Sequence, residues 1–316
     1  MEKTLRLTVE STEAGERLDV FIAARLRGFT RSRVKTLFDG SRVTVNGKAG
    51  KPGLRVKGAD AVDVLVPPER IHTVEPEEVP LEILYEDSDI IAVNKPAGMT
   101  THPGAGRTTG TLVNALLGHT KDLSLLGGPL RAGIVHRLDK DTTGAIVAAK
   151  NDSSHLALSK QFKEHTAGRT YLALVWGGVR DMEGVVDMPI GRDIAHRKKI
   201  SPRARKKRTA VTRYRVLKRF PLLTLLELKL ETGRTHQIRV HLNAINHPVV
   251  GDQTYGKRCV PPAMEKEAAD LLKKIKRQCL HARTLTLTHP STGKLMEFQA
   301  PLPEDFEEIL KTLEGG

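Results

Sequence analysis

The stretch GIVHRLDKDTTG, residues 133–144, packs several charged side chains between apolar segments, and the apolar run Ala145–Ala149 follows it directly. A short apolar run bounded by glycine and polar residues is typical of a buried strand. A charged loop that leads into such a strand would place Asp139 at the lip of a sheet. The stretch therefore predicts a carboxylate held at the edge of an apolar core.

A second polar segment, ETGRTHQIRVH at residues 231–241, follows the strand-like run 222–230. On a strand or turn, Arg234 and His236 would share one face and Arg239 could point to the opposite one. Taken alone, each segment could equally be a structural ion pair or a capped turn. Together they predict one buried pair, in which an arginine orients Asp139 and leaves one carboxylate oxygen free.

The remainder of residues 80–316 contains more strands than helices, and the two do not alternate strictly. Apolar or alternating runs predict strands at 83–85, 90–93, 146–149, 171–176, 211–216, 222–230 and 285–288, with a helix at 155–164. This pattern favours an α+β fold built on a mixed, largely antiparallel sheet.

The N-terminal segment predicts a small, separate arrangement. Apolar residues at helical spacing predict helices near 18–26 and 30–38, and VTVNGK at residues 43–48 predicts a hairpin that turns at Asn46 and Gly47. The run 61–66 predicts a closing strand. Four basic side chains suit a phosphate-binding surface, although they could also be solvated charges of a helical hairpin: Arg31, Arg33, Lys35 and Lys48.

Charge gives the clearest functional indication. The chain has 51 Lys and Arg against 37 Asp and Glu, a formal charge of +14, which favours a nucleic-acid partner over the alternative of a merely basic enzyme. The basic run 196–208 predicts a mobile loop that contacts phosphates, or else a flexible solvated loop; it includes Lys198, Lys199, Lys206 and Lys207. The acidic, proline-containing stretch 67–89 predicts a linker. We place the domains at 15–75, with the linker, and 80–316.

Several classes of protein are excluded. The glycine-rich segment 98–110 fits neither the P-loop nor the GxGxxG pattern, and the chain has no HExxH motif. With two cysteines and no CxxC, nothing supports a disulfide framework or a structural zinc site. No apolar run reaches the roughly 18 residues of a membrane span, and the first residues lack a signal-peptide core. We expect a cytoplasmic protein without metal, cofactor or membrane association.

The motifs also support a family resemblance. HRLD at 136–139 with TTG at 142–144 resembles the active-site motif of the RluA-type pseudouridine synthases, and three further blocks follow that family's order: NKPAG at 94–98, RTY at 169–171 and GRTHQIRVH at 233–241. Residues 15–66 resemble the small α/β S4-type RNA-binding domain through RLD at 17–19 and VTVNGK at 43–48. HPGAG at 102–106 and RAGI at 131–134 are similar to the RluD branch, which acts on large-subunit ribosomal RNA.

The resemblance implies an isomerase that breaks the C1′–N1 bond of uridine, rotates the uracil and reattaches it through C5. Asp139 would act as nucleophile or charge stabiliser, Arg239 would pair with it, and Tyr171 would stack on the uracil and could act as a base. Arg137 would fill the gap left by the flipped nucleotide, and Arg234 would contact RNA. No cofactor is implied. The substrate would be large-subunit ribosomal RNA, in an assembling subunit, bound by a monomer. The alternatives are a non-catalytic ribosome-assembly factor and a synthase that acts on tRNA.

Overall fold

The structure is a computed structural model that describes residues 3–26, 29, 31–66, 74–104, 107–196, 199–256 and 260–315, without the side chains of residues 31–33. The chain divides into two compact units, Met1–Ile71 and His72–Gly316. Among the described residues, no helix combines the length and the apolar character that a membrane crossing requires.

The first unit is a four-stranded antiparallel sheet with two helices, and its strands lie in the order β1-β4-β2-β3. Its elements are β1 (Lys3–Thr8), α1 (Leu18–Arg25), α2 (Arg31–Asp39), β2 (Val43–Val45), β3 (Lys48–Ala49) and β4 (Ala61–Val66). The predicted helices, hairpin and closing strand are confirmed. Strand β1 was not predicted, and it extends this unit upstream of residue 15.

The hairpin between β2 and β3 follows from local backbone chemistry. Asn46 and Gly47 both have positive φ, 50° and 78°, which is the requirement of a two-residue type I′ turn. The side chain of Asn46 also joins the turn to the loop before β4, because its amide nitrogen donates to Asp60 at 2.8 Å. Phe21, Ile22 and the neighbouring apolar residues of α1 are buried beneath the sheet strands.

The second unit is built on a nine-stranded sheet in the order β5-β6-β7-β14-β8-β13-β12-β9, with β15 paired to β14. Its strands are β5 (Glu82–Glu86), β6 (Ile90–Lys95), β7 (Thr143–Ala149), β8 (Gly168–Trp176), β9 (Glu183–Asp187), β10 (Gly191–Arg192), β11 (Ile200–Ser201), β12 (Val211–Phe220), β13 (Leu223–Leu230), β14 (Leu280–Thr288) and β15 (Leu295–Gln299). Its helices are α3 (Leu112–His119), α4 (Asp152–Glu164), α5 (Gln237–Ala244), α6 (Lys266–Lys274) and α7 (Glu304–Gly315). Only the β7–β14 pair of the large sheet is parallel, so the predicted α+β fold with a largely antiparallel sheet is confirmed.

Strand alternation decides which side chains face the site. Along β8, Tyr171, Ala173 and Val175 enter the core beneath α3 and α5, whereas Leu172, Leu174 and Trp176 enter the core beneath α6 and α7. Because successive side chains of a strand point to opposite faces, Tyr171 lies on the same face as α5, the helix that carries Arg239.

Three sequence predictions need correction. Residues 74–79 are not a solvated linker: Val74 is buried, the Glu77 carboxylate accepts the N–H of Gly110 at 3.0 Å, and Gly118 packs directly against the Glu77 backbone. Arg239 lies on helix α5 and not on a strand or turn. The basic run is not simply a loop, because its described residues include the short strand β11, which pairs with β10 just upstream of the run. We refer to residues 191–208 as the basic hairpin.

The parallel junction of β7 and β14 depends on one glycine. Gly144 has φ 116°, and a Cβ there would lie 2.1 Å from the carbonyl oxygen of Ala282. The two backbones can therefore meet only at a residue without a side chain. This contact fixes the start of β7, five residues after Asp139, against the centre of the sheet.

Candidate active site

Asp139 lies in the loop that enters β7, as its sequence context predicts. The preceding residue Leu138 is anchored on both sides of its peptide by the Thr101 hydroxyl, which donates to its carbonyl at 2.9 Å and accepts its N–H at 3.3 Å. The N–H of Thr142 donates to the carbonyl of Asp139 at 3.1 Å. The Asp139 side chain retains 15% exposure, so a tightly held backbone presents a nearly buried carboxylate to the cavity.

Lys95 reinforces this loop from below. Its ammonium group is fully buried and donates to three carbonyl oxygens, those of Pro96 at 2.8 Å, Met99 at 2.9 Å and Lys140 at 3.0 Å. Burial lowers the pKa of Lys95 to about 7, against the opposing effect of Asp141 and Asp139. Three acceptors match the three N–H groups of the charged form, so we assign Lys95 the structural role of joining the segment after β6 to the Asp139 loop.

The predicted pair between Asp139 and Arg239 is present. Arg239 Nη1 donates to Asp139 Oδ2 at 2.9 Å, although the two residues are 100 positions apart. The other edge of the same guanidinium makes a bidentate pair with Asp252, through Nε at 2.6 Å and Nη2 at 2.8 Å. The arginine is thereby fixed in one orientation, and only Nη1 faces Asp139.

Asp252 is the site residue that sequence reasoning missed, because no role was given to it. Its side chain is 1% exposed, and its Oδ1 also accepts the N–H groups of Thr254 and Tyr255, at 2.8 and 3.0 Å. Burial opposes its ionisation, but the bonds from Arg239 and from the backbone hold the pKa of Asp252 below its ordinary value. The available signal was an acid within the apolar context HPVVGDQ, residues 247–253.

A cavity of about 500 Å³ opens above this pair. Asp139, Arg239 and His236 line it together with Tyr171, which is 7% exposed on β8. Burial raises the pKa of Tyr171, an effect that Arg169 opposes and Asp139 reinforces. The phenol is therefore protonated at neutral pH, which favours a stacking role over that of a base.

Two further arginines of the predicted set also line the cavity. The side chain of Arg137 is exposed at the rim, and Arg234 is half-buried, with its Nε donating to the carbonyl of Thr209 at 3.2 Å. Arg169 was quoted in a motif without a role. Its guanidinium lies 5.8 Å from the ring of Phe162 and fills the space that a Cβ at Gly233 would need.

His136, the first residue of the HRLD motif, lines the cavity, but its ring is engaged in structural contacts. Its ring stacks on Phe162 with the centroids 4.2 Å apart, and its Nε2 accepts the N–H of Val147 at 3.0 Å. Burial lowers the pKa of His136 to about 3, with a smaller effect from Arg169. This histidine is neutral and structural, and it fastens β7 to α4.

The remaining predicted RNA contacts lie outside the cavity. Lys35 on α2 and Lys48 on β3 are exposed in the first unit. In the basic hairpin, Lys206 and Lys207 are exposed and Lys199 is half-buried. The side chains of Arg31 and Arg33, and the whole of Lys198, fall outside the described residues.

One cluster of possible metal ligands occurs among the described residues: Asp87, Asp89 and His289. Its atoms already have protein partners. Asp87 accepts from Tyr85, from His289 and from two backbone N–H groups, while Asp89 accepts from Asn151, Ser154 and Ser291. The cluster accordingly ties three loops together at the edge of the sheet.

The chain is similar to known proteins over nearly its whole length. Residues 89–244 match the RNA pseudouridylate synthase family and residues 16–62 match the S4 domain. It is 42% identical to a Bacillus subtilis protein described as "Uncharacterized RNA pseudouridine synthase YlyB", over 97% of both chains. It is also 43% identical to the ribosomal large subunit pseudouridine synthase D of Pasteurella multocida, over 99% of this chain and 95% of that one.

A solved structure agrees with this assignment. The human RNA pseudouridylate synthase domain containing 4 superposes with a TM-score of 0.57 at 27% identity, covering 74% of this chain and 93% of the human one. The extent of these similarities, together with the ion pair at the base of the cavity, leads to one conclusion: the chain belongs to the RNA pseudouridine synthase family and carries an S4 domain in front of its catalytic unit.

Proposed function

We propose that this protein converts specific uridines of large-subunit ribosomal RNA to pseudouridine. The observation that carries the proposal is the 2.9 Å contact between Asp139 and Arg239 at the base of a cavity of about 500 Å³ that also holds Tyr171. The name of the Pasteurella multocida relative supports the ribosomal substrate. We further propose that the protein acts in the cytoplasm, as a monomer, on an assembling large subunit.

In the proposed reaction, Asp139 acts first, either by attacking the ribose or by stabilising the positive charge that develops when the C1′–N1 bond breaks. Arg239 holds the reacting carboxylate in place. Uracil then rotates within the cavity, where Tyr171 stacks on it, and its C5 bonds to C1′; in the attack route this step breaks the bond between Asp139 and the ribose and frees the carboxylate. The proton lost from C5 is balanced by the proton gained at N1, so the reaction needs no second substrate.

RNA must also be bound and opened at the target uridine. Arg137 at the cavity rim would replace the flipped nucleotide, offsetting an unstacking cost of about a few kcal/mol. Arg234 and the lysines of the basic hairpin would contact phosphates near the site, and Lys35 and Lys48 of the S4 domain would supply further phosphate contacts. Phosphate contacts of this kind position RNA without reading its sequence.

The test is to incubate the purified protein with large-subunit ribosomal RNA and, separately, with tRNA, and to map pseudouridine by carbodiimide treatment and reverse transcription. We expect new pseudouridine in the ribosomal RNA. Asp139→Asn should remove it, leaving less than about one hundredth of the wild-type rate with RNA affinity nearly unchanged. Asp270→Asn, a change of the same kind at a residue whose side chain is 51% exposed on α6, is the matched control.

Each alternative has its own outcome. Product in tRNA alone would reassign the substrate. The absence of pseudouridine in both RNAs would favour a non-catalytic assembly factor and would overturn the proposal.

A further inference from the structure

A chain of polar contacts connects the basic hairpin to Asp139. The N–H of Ile200, on β11, donates to the Tyr255 hydroxyl at 2.9 Å. That hydroxyl lies 2.9 Å from Nδ1 of His236, and Nε2 on the other side of the same ring lies 3.8 Å from Asp139 Oδ2. Ile200, Tyr255 and His236 therefore form one line of contacts that ends at the catalytic carboxylate.

We assign His236 the tautomer in which Nδ1 accepts the Tyr255 hydroxyl proton. Because the Tyr255 oxygen accepts from Ile200, its own proton is available for donation to Nδ1. A neutral imidazole that accepts at Nδ1 carries its proton at Nε2, and that proton faces Asp139. Catalytic contacts are often long before substrate binds, so a 3.8 Å separation can close to a hydrogen bond by a small movement of either side chain.

Burial favours the neutral form of His236. Burial lowers its pKa most strongly; Asp139 and Asp252 act in the opposite direction, and Arg239 and Arg137 reinforce the lowering. A neutral donor can orient Asp139 without adding a second full positive charge beside Arg239. The Tyr255 ring also packs against that guanidinium, 5.2 Å from its centre, so the tyrosine supports both partners of the carboxylate.

The basic hairpin also packs against α5, the helix that carries Arg239. Ile190, Ala210 and Val240 form a small buried cluster, with Ile200 and Tyr255 packed against it. Val240 is the neighbour of Arg239 on α5. Among the described residues of the hairpin, six basic side chains are exposed: Arg192, Arg203, Arg205, Lys206, Lys207 and Arg208. Phosphates bound to these side chains would therefore act on a segment that packs against the elements holding Asp139.

We propose that His236 is a positioning residue for Asp139, and that Tyr255 couples it to the basic hairpin, so that RNA bound at the hairpin aligns the carboxylate for reaction. This inference rests on the proposed function and adds to it a link between RNA binding and the chemical step.

The first test replaces Tyr255 with Phe in the full-length protein. This change removes the hydroxyl but keeps the ring against Arg239. We expect the single-turnover rate at saturating RNA to fall about tenfold, with the dissociation constant within twofold of wild type. Losing the donor to Nδ1 removes a contact that favours neutral imidazole, so the acid limb of the pH–rate profile should move to higher pH. The control is Tyr85→Phe, which removes a hydroxyl bonded to Asp87. It should change neither the single-turnover rate nor the pH–rate profile.

The second test separates positioning from general damage to the fold. Asn tolerates the φ of 55° found at His236, so His236→Asn should fold and show a similar loss of rate. Adding Tyr255→Phe to His236→Asn should not lower the single-turnover rate further, because both substitutions act through the imidazole ring of His236. An additive loss, or a Tyr255→Phe protein with the wild-type rate and pH profile, would overturn the inference.

A spectroscopic measurement examines the link to the hairpin. The imidazole resonances of His236, assigned by their loss in His236→Asn, should shift when wild-type protein binds RNA in which the target uridine is replaced by cytidine. They should shift less in Lys206→Ala/Lys207→Ala at equal saturation. An identical shift in both proteins would contradict the coupling. Wild-type protein that makes no pseudouridine would instead refute the proposed function, so the two failures are distinguishable.

Discussion

Asp139 and Asp252 share one guanidinium, and the deeper carboxylate determines how Arg239 meets the other one. Asp252→Asn keeps the shape of this partner but points an amide N–H₂ at an arginine that can only donate. We expect Arg239 to shift and the single-turnover rate to fall by about a hundredfold, since misplacing a catalytic group by about 1 Å can cost that much. RNA affinity should be unchanged. Rapid-quench kinetics beside Asp270→Asn check this, and a loss below threefold would contradict it.

Lys95 illustrates a buried charge whose importance is structural. Lys95→Met would leave the carbonyls of Pro96, Met99 and Lys140 without their donor. We expect the free energy of unfolding to fall by about 3 kcal/mol or more, since each of the three buried polar groups left unpaired costs about 1–3 kcal/mol. Urea titration measures this. Lys160→Met, at an exposed position of α4, should change stability by less than about 0.5 kcal/mol.

At the scale of elements, the site depends on where β7 begins. Gly144→Ala would combine an unfavourable positive φ with a Cβ 2.1 Å from a backbone oxygen. We expect a loss of about 3 kcal/mol or more in unfolding free energy. Gly98→Ala, where φ is also positive but nothing lies within 4 Å, should cost only about 1 kcal/mol. Equal losses in the two proteins would show that the close approach to β14 has no energetic weight.

The elements also show how far sequence patterns reach. Strands β6, β7, β8 and β13 were predicted because each contains a short apolar run, which can be recognised in the sequence without knowledge of tertiary contacts. Arg239 was expected on a strand or turn, whereas it lies on a helix that begins after a left-handed residue, His236, which no periodicity reveals. Residues 74–79 were predicted as linker because their composition is acidic, and the contacts with α3 that order them are long-range.

The site residues also divide into those that sequence patterns reveal and those that only long-range contacts reveal. Asp139 and Arg239 could be named from polar density in apolar surroundings and from the family resemblance. Asp252 could not be given a role, because its importance comes from a bidentate contact across 13 positions. The same holds for Tyr255 and His236, whose connection to the basic hairpin exists only in the folded chain.

For the whole molecule, buried histidines predict sensitivity to acid. The pKa of His136 is lowered to about 3 and that of His281 to about 4, in both cases chiefly by burial, against about 6.5 in an unfolded chain. Below pH 6.5 the unfolded chain therefore binds protons that the folded chain refuses, and stability falls as the pH drops towards 4. Each such histidine contributes a slope of up to about 1.4 kcal/mol per pH unit.

Urea unfolding between pH 4.5 and 7.5 measures that slope. In His136→Gln the side-chain oxygen can still accept the N–H of Val147, but the residue no longer titrates. The slope of unfolding free energy against pH should therefore decrease by up to about 1.4 kcal/mol per pH unit, the contribution of one proton. An unchanged slope would mean that His136 is protonated in the folded protein.

The division into two units predicts that RNA affinity and the chemical step can be separated. We propose that removing residues 1–71, a boundary that respects the packing of Val74 and Glu77, leaves the catalytic unit folded. Its rate at saturating RNA should stay within about tenfold of wild type, because Asp139, Tyr171 and Arg239 remain. Affinity should fall, and its salt dependence should flatten by about one unit of slope per lost phosphate contact. Binding measured against salt tests this, and an unchanged slope would mean that the S4 domain does not anchor RNA.

The parallel contact of β7 with β14 has a consequence for the time at which the protein becomes active. Thr143 and His281, which bond across this junction, are 138 positions apart, and Asp139 immediately precedes the junction. A nascent chain that has emerged only as far as α5 has both Asp139 and Arg239 but lacks the central strand that holds them at their distance. At about 5–20 residues per second, roughly 7–30 s separate the synthesis of Asp139 from that of the end of β14. We therefore expect the enzyme to gain its activity only after β14 has been synthesised, in the last stage of its own translation.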